Sequence, residues 1–331
     1  MAIKLGILKG FKPNWKLYAS ACEELNVKYE IIDFFASNWL ESIKKSDCNG
    51  FLVRPPCSYQ ERLNIYKERL YFLNKVLKKP IYPSFNEIFL YENKRNVATW
   101  LKIHDFPHPE TRIFTKKDEA LDFINNAVYP VVFKTNTGAG SERVNIIKSR
   151  FFSRVIVELI FGIRPEFAFG NTNFVKKLGL KIFPNIGEAQ RHYLIAQDFK
   201  DIKWEWRIIK VGKSYFGHQK LSKNGFCSGS DLVGWVEPPK ELLFLAKKIC
   251  ETGQFNSMAI DIFETTDGQY YVNELQSLFG SYVESQMYIN NIPGRFVFKN
   301  NDFVFEEGIF NRHGSNLLRI EDFIEKLQKQ V

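Results

Sequence analysis

Met258-Ala-Ile-Asp-Ile-Phe-Glu-Thr-Thr-Asp-Gly-Gln-Tyr-Tyr-Val-Asn-Glu-Leu-Gln276 is the stretch on which the reading of this chain turns. It holds two β-rich runs joined by Asp267-Gly268, a strong short-range hairpin signal. A two-residue turn there sets Thr266 against Gln269 and Asp261 against Glu274. Side chains alternate along a strand, so Gln276 shares the face of Glu274. Two carboxylates opposed across a ladder repel each other. A divalent cation turns that cost into a site, and oxygen donors from two carboxylates and an amide suit Mg²⁺ or Mn²⁺. Taken alone, the stretch reads equally well as a surface hairpin with scattered acids, so its surroundings decide.

Those surroundings are ordinary in bulk and specific in order. A chain of 331 residues with 45% apolar and 25% charged residues is long enough to bury two or three modest cores. The net charge of +9 is spread along the chain, with no block of five or more like charges. That balance fits anionic ligands better than a nucleic-acid tail. Five cysteines (Cys22, Cys48, Cys57, Cys227, Cys250) show no CxxC spacing, which argues for a reducing compartment and against a disulfide framework or zinc site. The opening Met-Ala-Ile-Lys-Leu-Gly-Ile-Leu-Lys reads as a first strand, not a signal peptide. No apolar run of about 18 residues predicts a membrane span. The expected location is the cytoplasm.

The first ~85 residues alternate strand and helix: strands at Ile3–Leu8, Tyr29–Phe34, Gly50–Arg54 and Ile81–Tyr82, helices at Asn14–Leu25, Trp39–Lys45 and Tyr59–Leu77. Such alternation predicts a parallel sheet, whose ligands lie beyond the carboxyl ends of its strands. Lys9 and Lys12 follow the first strand and Arg54 closes the third, so all three are candidate anion contacts, or else solvated surface charges. Further on, Phe85–Lys102 reads as one helix, Thr111–Phe114 and Pro130–Lys134 as strands, and Arg143–Ile147 as another strand. Between the last two lies a glycine loop, Thr135-Asn-Thr-Gly-Ala-Gly-Ser141. It lacks the endings of the familiar mononucleotide and dinucleotide loops, but its amides and the Ser141 hydroxyl are donors suited to anionic oxygens. Trp206–Val211 and Ser214–Gln219 form a hairpin about Gly212-Lys213, Pro239–Thr252 is a helix, and Ile320–Lys329 is the closing helix. No nucleophile elbow and no metal-spaced histidines occur.

The order of these parts is more specific than any one of them. A parallel α/β unit is followed by Lys94 in a helical segment, a strand ending in Lys134, and the glycine loop. Then come Gln197-Asp-Phe199, Glu205-Trp-Arg207, a Gly-rich segment and Asp261…Glu274-Leu-Gln276. Over essentially the whole chain this order resembles the ATP-grasp superfamily, most of all its carboxylate–amine ligases, such as the ribosomal-protein glutamate ligases and the D-alanine–D-alanine ligases. The resemblance implies an α/β and α+β architecture, an ATP-grasp fold preceded by a parallel α/β domain. Its divisions fall at 1–85, at 86–195 with an extra segment 151–192, and at 196–331.

The same resemblance implies roles. Lys94 and Lys134 look like the lysines that hold ATP phosphates, and Gly138, Gly140 and Ser141 belong to the loop closing over them. Gln197, Asp198 and Phe199 lie on the hinge strand that reads adenine, and Glu205 stands where an acid approaches ribose. Arg207 is similar to the arginine near phosphate and the reacting carboxylate, with Lys220 where many members carry a second arginine. Asp261, Glu274 and Gln276 match the metal triad, although the third position is usually Asn. The implied activity is ATP-dependent amide formation between a small carboxylate and an amine through an acyl phosphate, with Mg²⁺ or Mn²⁺. Amino acids, peptides and carboxylated sugars all fit Lys9, Lys12 and Arg54. Segment 151–192 is then an acceptor-binding or subunit-packing insertion, the latter compatible with a homo-oligomer. The rival readings are an ATP-binding regulatory protein without turnover, favoured by Gln276, and a nucleic-acid binder, favoured only by net charge.

Overall fold

A computed structural model describes residues 3–57, 60–137, 144–162, 192–221, 232–279 and 283–329. Three sheets follow one another along the chain. The first is parallel, in the order β2-β1-β3-β4, from β1 (Lys4–Lys9), β2 (Lys28–Asp33), β3 (Gly50–Leu52) and β4 (Ile81–Tyr82). Helices α1 (Lys16–Glu24), α2 (Trp39–Lys45) and α3 (Gln60–Tyr71) connect its strands. The chain then forms α4 (Phe85–Leu90) and α5 (Lys94–Ile103). The second sheet is antiparallel, in the order β5-β8-β6-β7, from β5 (Thr111–Phe114), β6 (Val131–Lys134), β7 (Val144–Ile147) and β8 (Leu194–Asp198). It is backed by α6 (Lys117–Asn126) and α7 (Arg150–Phe161).

The third sheet is built on β9 (Ile202–Val211), β10 (Ser214–Lys220), β12 (Ser257–Thr265) and β13 (Tyr270–Gln276). The short β11 (Val233–Gly234) and β14 (Tyr288–Ile289) join it with β15 (Ile292–Lys299) and β16 (Asp302–Glu307). Helix α8 (Lys240–Gly253) packs Leu242, Leu243, Ala246 and Ile249 into the core beneath it. Among the described residues no helix is long and apolar enough to cross a membrane.

Packing crosses the divisions read from sequence. The closing helix, α9 (Arg312–Gln328), lays Leu317, Ile320, Phe323 and Leu327 on the first sheet beside Leu5, Ile7 and Tyr18. Gly50 has to be glycine there, because a Cβ would lie 2.4 Å from the Phe323 ring. Leu90, Val97, Leu101 and Phe106 join the core of the third sheet, whereas the second sheet keeps a separate core of its own.

Two expectations change besides the closing helix, which begins at Arg312 and not Ile320, and one pair of hairpins is new. Phe85–Lys102 is not one helix: the chain breaks between α4 and α5, with Glu92 at φ +50° and the Asn93 side chain accepting from Asn96 N at 3.1 Å as a new cap. The strands of β14–β16 carried a signal in Asn290-Asn291 and Asn300-Asn301. Both pairs have positive φ, as tight hairpin turns require. The decisive hairpin has a loop one residue longer than Asp267-Gly268, opening at Thr266: Thr265 N donates to Gln269 O at 3.0 Å, with Gly268 at φ +79°. A bulge between Asp261 and Ile262, with Asn273 as the extra residue opposite, restores the pairing of Asp261 with Glu274.

Glu87 ties the first unit to the third. It is fully buried, and burial raises its carboxyl pKa. Its Oε2 accepts from Ser84 N at 2.7 Å, and its Oε1 from Asn256 N at 2.9 Å and Ser257 N at 2.6 Å. Glu87→Ala strands three buried donors and loses a capping box, so it should cost about 3 kcal/mol or more. Urea unfolding measures this, and a loss below about 1 kcal/mol would contradict the assigned role.

Candidate functional site

The ends of several elements converge on one cleft that opens to solvent. Lys94 opens α5, Lys134 ends β6, Gln197 sits on β8, and Glu274 and Gln276 sit on β13; all five line the cleft. The two lysines come from separate segments and are brought together by Asn136. Its carbonyl accepts from Lys94 N at 3.0 Å, and its Oδ1 accepts from Arg95 N at 3.1 Å. Lys134 is 8% exposed, and its Nζ donates to Asn273 Oδ1 at 2.9 Å. Burial first, and then the Lys94 charge, bring its pKa down to about 8. The other half of the cleft is apolar, with Val97, Leu101, Ile195 and Val272, beside His108. His108 Nδ1 lies 2.7 Å from Phe106 O, and its buried Nε2 has no partner among the described residues.

Behind the cleft the middle strands of the third sheet carry a buried ion network. Arg207 on β9 is bidentate to Asp261 on β12, Nε to Oδ1 and Nη2 to Oδ2, each at 2.8 Å. Lys220 at the end of β10 donates to Asp261 Oδ2 at 2.5 Å and also to Glu205. The register explains the meeting, since Asp261 lies opposite Arg207 and Lys220 opposite Glu205. Burial alone would raise the Asp261 pKa, but Arg207 and Lys220 hold it well below the usual carboxylate range. Burial raises that of Glu205 despite the opposing charge of Lys220. Asn273 links network to cleft: it receives Lys134, and its Nδ2 reaches Glu205 Oε2 at 3.4 Å.

Asp261, Glu274 and Gln276 form a set of hard oxygen donors on neighbouring strands, one that suits Mg²⁺ or Mn²⁺. Gln276 Nε2 donates to Glu274 Oε1 at 2.8 Å, while its buried Oε1 has no partner among the described residues. The buried, unpaired Gln276 oxygen beside Glu274 is an acceptor that a divalent cation would satisfy, whereas both Asp261 oxygens are already held by Arg207 and Lys220 and would have to be shared with it.

The remaining expected residues fall elsewhere. Gly138, Gly140, Ser141 and most of segment 151–192 lie outside the described residues. Glu205, expected toward ribose, is 2% exposed and engaged by Lys220 instead of lining the cleft. Asp198 pairs with Arg112 at 2.7 Å, and Phe199 is exposed beside it. Gln197 donates to Thr111 Oγ1 at 2.8 Å. Lys9, half-buried and 3.5 Å from Asp33, stands at the carboxyl edge of the first sheet with Lys12 and Arg54. None of these three lines the cleft. Sequence reading missed Glu92, Asn273 and His108. Only Asn273 carried a signal, as an amide within the acid-bearing run Val272-Asn-Glu-Leu-Gln276.

No protein-family model matches the sequence, and no curated protein matches it. Solved structures do match. D-cycloserine synthetase DcsG superposes with a TM-score of 0.60 at 13% identity, over 98% of this chain and 99% of that one. D-alanine–D-alanine ligase from Bacillus anthracis gives 0.56 at 14% identity over 100% of both chains. A RimK-domain ATP-grasp protein from Sphaerobacter thermophilus gives 0.53 at 17% identity, over 82% of this chain and 90% of that one. The chain has the ATP-grasp fold.

Lys134 makes the site's charge measurable. Unfolded, a lysine holds its proton up to its ordinary pKa of 10.5; folded, Lys134 releases it near 8. The unfolded state therefore binds more protons between those values, and stability rises with pH across that window. Wild type should gain about 3 kcal/mol relative to Lys134→Met between pH 7 and 10.5. Paired urea titrations read the difference, and parallel pH profiles would place Lys134 in solvent.

Proposed function

We propose that this chain is an ATP-dependent carboxylate–amine ligase that releases ADP and phosphate. The observation that carries the reading is the convergence of Lys94 and Lys134 with Glu274 and Gln276 in one cleft, in a fold shared with synthetases and ligases. The apolar half of the cleft has the character of an adenine site, with Gln197 as a polar reader at its edge. Lys94 and Lys134 then meet the phosphates. Because burial disfavours the Lys134 ammonium, an arriving anion is the partner that restores its charge. Asp261, Glu274 and Gln276 would hold Mg²⁺ or Mn²⁺, which supplies charge neutralisation for the phosphate oxygens.

In this reading a substrate carboxylate oxygen attacks the γ-phosphorus and the bond to ADP breaks. The amine nitrogen then attacks the acyl carbon, phosphate leaves, and the nitrogen gives up a proton. Such chemistry depends on positioning and on fixed charge more than on acid–base residues. Arg207 and Lys220 are the cations nearest the carboxylates of the site and take the role of steadying charge that develops during transfer. Lys9, Lys12 and Arg54 serve the carboxylate-bearing substrate from the first sheet, and Gly138, Gly140 and Ser141 cover the phosphates. An amino acid, peptide or carboxylated sugar is the expected class of substrate.

A pool of carboxylic acids with ATP, Mg²⁺ and hydroxylamine should give a hydroxamate and ADP. AMP with pyrophosphate would overturn the reading, and ATP binding with no turnover across the pool would favour a regulatory ATP-binding role. Glu274→Gln should abolish ADP release without lowering Tm, as followed by a coupled assay and calorimetry.

A further inference from the structure

Gln276 is one methylene longer than the asparagine its place in the resemblance leads one to expect, and the structure shows what the extra length reaches. Its Nε2 donates to Glu274 Oε1 at 2.8 Å and to Glu92 Oε1 at 3.4 Å. Both amide hydrogens are thus directed at carboxylates, leaving the buried Oε1 without a partner among the described residues. The opposite amide orientation would press an oxygen against two carboxylates, so the two acids fix it. Glu92 is only 5% exposed, lines the cleft, and has φ +50°, a backbone region that Glu rarely adopts and Asn tolerates. The chain just before it is pinned by Lys67, whose Nζ donates to Tyr91 O at 2.7 Å. Eleven other described non-glycine residues share a positive φ, so what sets Glu92 apart is the combination of a buried acid, the cleft and the Gln276 amide.

We propose that Glu92 is a positioning residue for the cation site: with Glu274 it holds both amide hydrogens of Gln276 and so commits the amide oxygen to a divalent cation. The inference rests on the cation reading above and adds to it a residue outside the ligand triad. It also accounts for the longer amide, which reaches a second acid and gains orientation from it.

The test is Mn²⁺ affinity, read by electron paramagnetic resonance of free Mn²⁺ with a non-hydrolysable ATP analogue present. Glu92→Asn should weaken Mn²⁺ binding by about tenfold, the scale of losing an orienting partner. Its Tm should be unchanged or higher, because Asn relieves the backbone. Gln276→Ala should lose a similar factor, and the double variant should bind no more weakly than Gln276→Ala alone. Glu92→Gln, which keeps an acceptor oxygen, should stay within about threefold of wild type; it also serves as the probe if Glu92→Asn does not fold. Wild-type affinity in Glu92→Asn, a full additional loss in the double variant, or a tenfold loss in Glu92→Gln would each overturn the proposal. Failure of the wild type itself to bind Mn²⁺ would instead remove the cation reading, and this inference with it.

Discussion

The bidentate pairing of Arg207 with Asp261 is the contact on which the site depends. Arg207 stands on the middle strand of the third sheet, and Asp261 stands opposite it on the neighbouring strand. Lys220 and Glu205 complete a group behind the cleft in which Asp261, Glu205 and Lys220 are buried and Arg207 is half-buried. Such a group adds little net stability, because desolvation offsets most of the Coulomb attraction. Losing any one member leaves a buried charge unpaired, at a cost of about 3–5 kcal/mol. The network therefore penalises every register of these strands except the observed one. That register is also what brings Glu274 and Gln276 alongside Asp261.

The same balance bears on how ligands enter. Without them Asp261 and Glu205 already have cationic partners, and Lys134 donates to the Asn273 amide and feels the like charge of Lys94. On the proposed reading Asp261, Glu274 and Gln276 would hold a divalent cation and Lys94 and Lys134 would meet the phosphates, so that charges already fixed by the fold would face both. Asn273 joins the two sets of charges, since it touches both Lys134 and Glu205 and carries no charge of its own.

Legibility followed the range of the forces involved. Period-two and period-3.6 patterns gave the first sheet and most helices to within a residue or two, because burial of one face enforces those periods. The opposition of Asp261 and Glu274 was read correctly through two errors that cancel: the turn is one residue longer than Asp267-Gly268 implied, and a bulge at Asn273 takes the residue back. The longer turn has a local cause, since Gln269 N donates to the Thr265 hydroxyl at 2.9 Å and Gly268 supplies the left-handed residue of a three-residue loop, whereas the bulge has no local signal. The meeting of Lys94 and Lys134 was implied by the resemblance, and its physical agent, Asn136, lay inside a loop read for its glycines, amides and Ser141. Glu92 was illegible for a further reason. It lies where a continuous helix was expected, and only the break at Asn93 turns it into the cleft.

The cores divide labour between the cleft walls. The first and third units share apolar packing through α9 and a buried polar tie through Glu87, so they behave as one wall. The second sheet has a self-contained core. It meets the third unit through polar contacts such as Lys134 to Asn273 at 2.9 Å, and the preceding segment adds Val272 N to Pro107 O at 2.7 Å. Polar contacts of this kind can be replaced by water or by an anion at little net cost, whereas a shared apolar core cannot be opened without exposing its surface. The wall that carries Lys134 is thus attached by interactions that a phosphate could replace, and the wall that carries Asp261 and Glu274 is attached by interactions that it could not. That asymmetry is what a site needs if one face is to hold a rigid donor set and the other is to accept a bulky anion.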